Sequence, residues 1–242
     1  MNEVIRQIFA RKSVRAFTGQ HITSQQKQAI LESAMQAPSA GNQQMYTIID
    51  VTDQALKDKL AESCDHQPFI GKADMVLIFC ADFKKWYDLF EQFDCQPRRP
   101  GVGDLMLAVT DATIAAQNAV CAAESLGIGS CYIGDVMEQY ETHRELLRLP
   151  EYVFPAAMLV FGIPTEQQMR REKPQRCSLA YMVHENGYRV MDKPELREMF
   201  QKNAVGKPFE DWVKAFCNRK YNSRFSREMT RSVKEYLKEF DG

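Results

Sequence analysis

The stretch LMLAVTDATIAAQNAVCAAESL, Leu105–Leu126, running into GIGSCYIG, Gly127–Gly134, decides how this chain folds. Alanine stands at 108, 112, 115, 116, 119, 122 and 123, a spacing that lays small side chains along one side of a helix. Gly127 is the residue type that ends helices, because it enters the left-handed region without a Cβ penalty. The segment has the length of a membrane span, but Asp111, Gln117, Asn118 and Glu124 interrupt it. It therefore reads as a buried helix packing closely on its neighbours. Such packing suits the core of a dimer, and the core of one chain equally. GIGSCYIG opens a strand rather than a strand-to-helix turn, so it is not a Gly-x-Gly-x-x-Gly fingerprint and a Rossmann site is disfavoured.

Outward from that helix, Met75–Ala81 is a continuous apolar run, the pattern of a central strand covered on both faces. Tyr46–Val51, Gly129–Gly134 and Ala156–Ile163 read as further strands. Helical patterns occupy Val4–Phe9, the segment capped by Thr23 or Ser24 and stopped before Pro38, Gln54–Cys64, and Met137–Leu147. Past Pro164 the texture turns charged and irregular, with helical patterns at Pro194–Asn203 and Phe225–Phe240. The class is α+β. One domain over 1–242 is the simplest organisation, with 165–242 an extension of it or an arm that embraces a partner.

The chain has 242 residues, 45% of them hydrophobic and 26% charged, which is enough to bury a substantial core. Lys plus Arg 31 against Asp plus Glu 32 leaves a net charge of −1, so nothing points to nucleic acid or an anionic membrane as a partner. The opening Met1-Asn2-Glu3-Val4-Ile5-Arg6 lacks the layout of a signal peptide, and the cytoplasm is the expected compartment. Seven cysteines without a Cys-x-x-Cys pair predict reduced thiols, and the four scattered histidines argue against a metal site.

Several short motifs carry potential chemistry. If Arg11–Arg15 is extended, Arg11, Ser13 and Arg15 share one face and form a local anion site. Pro38–Gln44 is a small-residue loop between a helix and a strand, open to a planar ligand. Lys173 and Arg176 flank a stiffening Pro174, and Arg219, Lys220 and Arg224 form a second cationic group. Taken singly, each is more often a solvated loop or a turn. No Ser-His-Asp or Cys-His spacing supports covalent catalysis.

In combination these motifs are specific. Arg11-Lys12-Ser13-Val14-Arg15-Ala16-Phe17 followed by Ala37-Pro38-Ser39-Ala40-Gly41-Asn42-Gln43-Gln44 resembles the N-terminal signature of FMN-dependent nitroreductases. Gln67, Ala115-Ala116-Gln117-Asn118-Ala119, Ala123–Gly129, Tyr132-Ile133-Gly134 and Val183-His184-Glu185-Asn186 resemble the subgroup of NADPH-dependent nitroreductases and flavin reductases. The resemblance covers nearly the whole chain. It implies a mixed, mostly antiparallel sheet flanked by helices, a long buried helix at a dimer interface, and a C-terminal excursion.

The resemblance also implies roles. Arg11 and Ser13, with the adjacent Lys12, hold the FMN phosphate and ribityl chain, and Lys173 and Arg176 close on the phosphate. Arg15 lies near the pyrimidine edge of the flavin and Gln67 hydrogen-bonds it, while Ser39 and Asn42 approach from the other subunit, and Ala40 and Gln44 are counted among the cofactor-binding residues. Tyr132, Ile133 and Gly134 line the remaining side. Three departures stand out: Gln175 is inserted between Pro174 and Arg176, Ala40 replaces a frequent second serine, and Met45-Tyr46 replaces proline-tryptophan. The implied reaction takes electrons from NADPH and reduces a nitroaromatic, quinone or free flavin by ping-pong hydride transfer. Arg219, Lys220 and Arg224 are the candidates for the extra phosphate of NADPH. Reductive dehalogenation on the same scaffold and a non-catalytic flavin-sensing dimer are the alternatives.

Overall fold

The computed structural model describes residues 1–241. Twelve helices and four strands are assigned in the order α1 (Glu3–Ala10), α2 (Ser24–Met35), β1 (Tyr46–Asp50), α3 (Gln54–Ser63), α4 (Pro68–Gly71), β2 (Met75–Asp82), α5 (Lys84–Gln92) and α6 (Val102–Ser125). There follow β3 (Gly129–Ile133), α7 (Tyr140–Leu147), β4 (Val153–Gly162), α8 (Glu166–Arg170), α9 (Leu179–Met182), α10 (Lys193–Phe200), α11 (Phe209–Lys220) and α12 (Arg224–Leu237).

The sheet runs β1-β2-β4-β3 with every neighbour antiparallel. A parallel contact comes from outside it, where Ser13 bridges Ser130 on the edge strand β3. All eight residues of β2 are buried, and successive side chains leave by opposite faces. Met75, Leu77 and Phe79 join α2 and the alanines of α6. Val76, Ile78 and Cys80 join the opposite layer, which also contains Leu60, Tyr236 and Phe240. A run apolar on both faces therefore becomes the centre of a three-layer unit, as the sequence pattern predicts.

Local signals set the element ends. Thr23 caps α2 in a reciprocal box with Gln26. Gly127, at φ 72°, ends α6, and Ile128 N–H returns to Ala123 O at 2.9 Å. In α6 the buried positions are Leu105, Ala108, Asp111, Ala112, Ala115, Ala116, Ala119, Val120 and Ala123, a single stripe.

Some boundaries differ from the sequence pattern. The helix expected from Met137 starts at Tyr140, because Gly134–Met137 forms a 3-10 turn and Gln139 sits at φ 49°. β4 begins at Val153, ahead of Pro155, because the register shifts between Phe79 and Cys80 opposite it. A bulge there lets a residue without an N–H sit inside the sheet. α11 was not legible in the sequence pattern, since its aromatics Phe209, Trp212 and Phe216 fall among charged residues.

The described chain divides into two compact units, 1–171 together with 229 onward, and 172–228. The sequence treats 165–242 as one extension, whereas the last helix returns its C-terminal half to the first unit. Within that unit Tyr140 donates to Glu239 at 2.9 Å, and Arg231 forms a bidentate pair with Glu141 at 2.8 Å.

Candidate functional site

In the first unit the segment that carries Arg11, Lys12 and Arg15 runs along the edge of β3. Arg11 closes α1, and beyond it the chain is extended, with Val14 N–H donating to Ser130 O at 2.9 Å. Val14 is buried against Gly129, where an added Cβ would stand 2.7 Å from Val14 Cγ2. With Val14 turned inward, its neighbours Ser13 and Arg15 turn the other way, the alternation expected of an extended segment. Both lie near enough to Cys131 to act on its thiol. Burial pushes this thiol up, and the Arg15 charge, hydrogen bonds from Ser13 and Arg15, and the Arg11 charge pull it back.

Arg11 is the most telling member. Its Nη1 is buried and has no hydrogen-bond partner. A buried, unpaired guanidinium nitrogen is costly, and an anionic oxygen is the ligand that removes the cost. Next to it, burial raises the Tyr132 hydroxyl to about 12 while the Arg11 charge opposes the shift. That hydroxyl donates to Gln117 Oε1 at 3.3 Å.

Lys12 departs from its neighbours. Its ammonium donates to the carbonyls of Met169, at 2.6 Å, and Arg171. Those bonds tie the N-terminal segment to the stretch after β4. Two residues the sequence reading passed over complete the lacing. Arg171 Nη2 donates to Ser13 O at 2.9 Å, and Arg15 N–H donates to Gln168 Oε1 at 3.2 Å.

At the end of β3, Tyr132 is half-buried and Ile133 packs its side chain into the core, and Gly134 just beyond the strand is exposed. Ile133 therefore offers backbone only. Gln67 precedes α4 as its cap, and its amide NH2 donates to Cys64 O at 2.8 Å. The Gln67 side-chain oxygen is thereby left as an acceptor. The turn before it rests on His143, a residue the sequence did not single out. Its Nδ1 lies 3.0 Å from Val136 O and its Nε2 lies 2.8 Å from Ser63 Oγ.

The 38–45 loop is tightly built. Gly41, Asn42 and Gln44 take φ values of 57°, 56° and 50°. Ser39 Oγ accepts from Gln44 N–H at 3.0 Å, and Trp86 Nε1–H donates to Gln43 O at 2.8 Å. Asp111 of α6, which in the sequence is only a polar interruption, accepts from Ala40 N–H at 3.0 Å and Met45 N–H at 3.2 Å. Gly41, Asn42 and Gln44 are exposed, and Ser39 and Ala40 are half-buried.

The remaining sequence candidates belong to the second unit. Lys173 is half-buried there and Arg176 is exposed. Arg219 and Lys220 lie in the last turn of α11, where cations complement the helix dipole, and the Arg219 guanidinium sits 5.5 Å from the Phe216 ring centre. Arg224 is exposed at the start of α12. No cluster of three or more His, Cys, Asp or Glu suited to a metal occurs among the described residues.

Comparison with known proteins places this geometry. A family model described as the nitroreductase family matches residues 8–163. A Bacillus subtilis protein named FMN reductase [NAD(P)H] is 32% identical over 240 residues, covering 98% of this chain and 91% of that protein. The oxygen-insensitive NADPH nitroreductase of Salmonella typhimurium is 33% identical over 194 residues, covering 80% of this chain and 78% of its own length. The solved NADPH:FMN oxidoreductase of Vibrio harveyi, complexed with NAD+, superposes with a TM-score of 0.82 at 26% identity, covering 98% of each chain.

Proposed function

From the premise that this chain belongs to the nitroreductase family, we propose that it is an FMN-dependent oxidoreductase that takes electrons from NADPH and reduces a nitroaromatic, a quinone or free flavin. The observation that carries the reading is the buried Arg11 Nη1 without an acceptor. A phosphate monoester supplies the missing anionic oxygens, so the donor set fits the cofactor. When bound, FMN supplies two-electron chemistry, accepting hydride from the nicotinamide and giving it to the acceptor.

The chain's own residues bind and orient. Arg11 and Ser13 hold the phosphate end, and Arg15 presents a fixed positive charge to the pyrimidine edge. Gln67, its NH2 committed to Cys64 O, offers its oxygen to an imide N–H on that edge. Tyr132 and the backbone of Ile133 and Gly134 flank the ring. Ser39, Ala40, Asn42 and Gln44 reach it from a second copy. Lys173 and Arg176 for the phosphate, and Arg219, Lys220 and Arg224 for the nicotinamide's extra phosphate, are proposed on the sequence alone. Lys12 is assigned to structure.

The working form is proposed to be a cytoplasmic homodimer, built on α1 and the outward face of α6. Val4, Ile5, Ile8 and Phe9 of α1 and Val102, Met106 and Leu107 of α6 are exposed apolar residues, with Phe9 68% and Met106 58% open. Large exposed apolar side chains gathered on two elements mark an interaction surface. Residues 172–228 are taken as an elaboration of the same FMN-binding domain rather than an independent one.

The test is the visible spectrum of purified protein before and after anaerobic NADPH. A yellow protein bleached by NADPH and reoxidised by a nitroaromatic supports the enzyme. A yellow protein that NADPH leaves unbleached overturns it in favour of a sensor, and a colourless protein that refuses FMN overturns both.

A further inference from the structure

We propose that Asp111 is the positioning residue for the 39–45 loop, presetting in the free protein the backbone that presents Asn42 and Gln44 to the flavin. The proposal rests on the FMN reading above. Asp111 is 2% exposed, so its carboxylate is removed from water and must be satisfied by the protein. It is satisfied by two backbone donors at opposite ends of one loop, Ala40 N–H at 3.0 Å to Oδ1 and Met45 N–H at 3.2 Å to Oδ2. One side chain thus brackets the whole segment.

The bracketed conformation is one the loop does not hold unaided. Asn42 and Gln44 lie in the left-handed region at φ 56° and 50°, where side chains other than glycine are disfavoured. Such residues persist only where surrounding contacts over-determine them. Here the contacts are Asp111 at both ends, Trp86 on the Gln43 carbonyl, and Ser39 on the Gln44 amide. They occupy the loop's inward polar groups and leave Gly41, Asn42 and Gln44 exposed. A loop ordered before binding spares the ligand the entropy of ordering it.

A carboxylate is required for a geometric reason. Two N–H donors converge on its two oxygens, and both oxygens accept. Asparagine has the same shape but turns an NH2 toward one of those donors, losing a bond and adding a repulsion. Because Asp111 sits on α6, the loop is referenced to the helix whose outward face is assigned to the dimer, which suits a loop that serves the other subunit's flavin.

The test compares Asp111→Asn, Asp111→Ala and Trp86→Phe with Phe240→Leu, a core control outside the loop. FMN affinity is measured by flavin fluorescence, and amide hydrogen exchange over 39–45 is measured in flavin-stripped protein. Asp111→Ala is expected to weaken FMN binding tenfold or more and to deprotect the 39–45 amides, with Asp111→Asn and Trp86→Phe changing both in the same direction. Phe240→Leu is expected to lower Tm and leave both readouts unchanged. Should Asp111→Ala fail to fold, the other two variants decide. FMN affinity within twofold of wild type together with unchanged exchange overturns the proposal. Wild-type protein that refuses FMN overturns the cofactor reading instead, and the exchange measurement, which needs no flavin, still decides whether Asp111 sets the loop.

Discussion

Gly129 and Val14 are in contact so close that an added Cβ on the glycine would stand 2.7 Å from Val14 Cγ2 and 2.8 Å from its Cβ. The contact is side chain against backbone, with Val14 buried and its N–H bound to Ser130 O. Seating Val14 there is what turns Ser13 and Arg15 to the other side.

Gly129→Ala therefore displaces the whole Arg11–Arg15 segment. Overpacking of this kind costs about 1–3 kcal/mol. A lower Tm and weaker FMN binding by fluorescence titration are expected together. Gly103→Ala, a helical position of α6 where nothing lies within 4 Å of the added methyl, is the control and is expected to leave FMN binding unchanged while Tm holds or rises.

Arg11 and Lys12 are neighbours with opposite expected phenotypes. Arg11→Gln removes a buried donor that has no partner, so flavin-free stability is held or rises while FMN affinity falls by about 10–100-fold, the worth of a charge-assisted bond. Lys12→Met loses the bonds to Met169 O and Arg171 O, so Tm falls and FMN affinity changes little. Thermal melts and titrations of both variants check the contrast.

His143 is fully buried, and burial lowers its pKa from the ordinary value of 6.5 despite the nearby backbone carbonyls. The unfolded chain therefore takes up the proton first as pH falls. The stability this residue contributes is complete above about pH 6.5 and is lost as pH drops below it, with a slope of up to ~1.4 kcal/mol per pH unit. Denaturant midpoints at pH 7.5 and 5.5 are expected to separate more for wild type than for His143→Gln. Equal separations would show that another group drives the acid sensitivity.

The cysteines report on the assembly. Burial pushes Cys64 and Cys80 up to about 12, and both are inaccessible, so neither is alkylated in native protein. Cys95, Cys121 and Cys217 are exposed in the single chain. If α6 forms the dimer interface, Cys121 is protected while Cys95 and Cys217 react, and dilution below the dimer's dissociation constant releases it. Peptide mapping after alkylation distinguishes the three, and Cys121 reacting as fast as Cys95 in the dimer removes α6 from the interface.

Arg224→Ala tests the choice of nicotinamide. An exposed guanidinium serving the extra phosphate predicts that the ratio of kcat/KM for NADPH to that for NADH falls by about tenfold. An unchanged ratio exonerates Arg224 and moves attention to Lys220, since Arg219 already lies against the Phe216 ring.

The sequence by itself determined the features written in short-range pattern. The alanine stripe and Gly127 marked α6, and the apolar run marked β2, because periodicity and capping act within a few residues. The motif order also identified the family. Tertiary structure alone decided the rest. Lys12 finds its acceptors 157 and 159 residues away, and Asp111 holds amides 71 and 66 residues away. Pro155 enters a strand because a bulge forms beside it, at Ala156. Local propensity carries no information about which distant backbone groups will need a partner. That need arises only when packing removes water, and it turned a polar interruption in an apolar helix into the clamp of a loop.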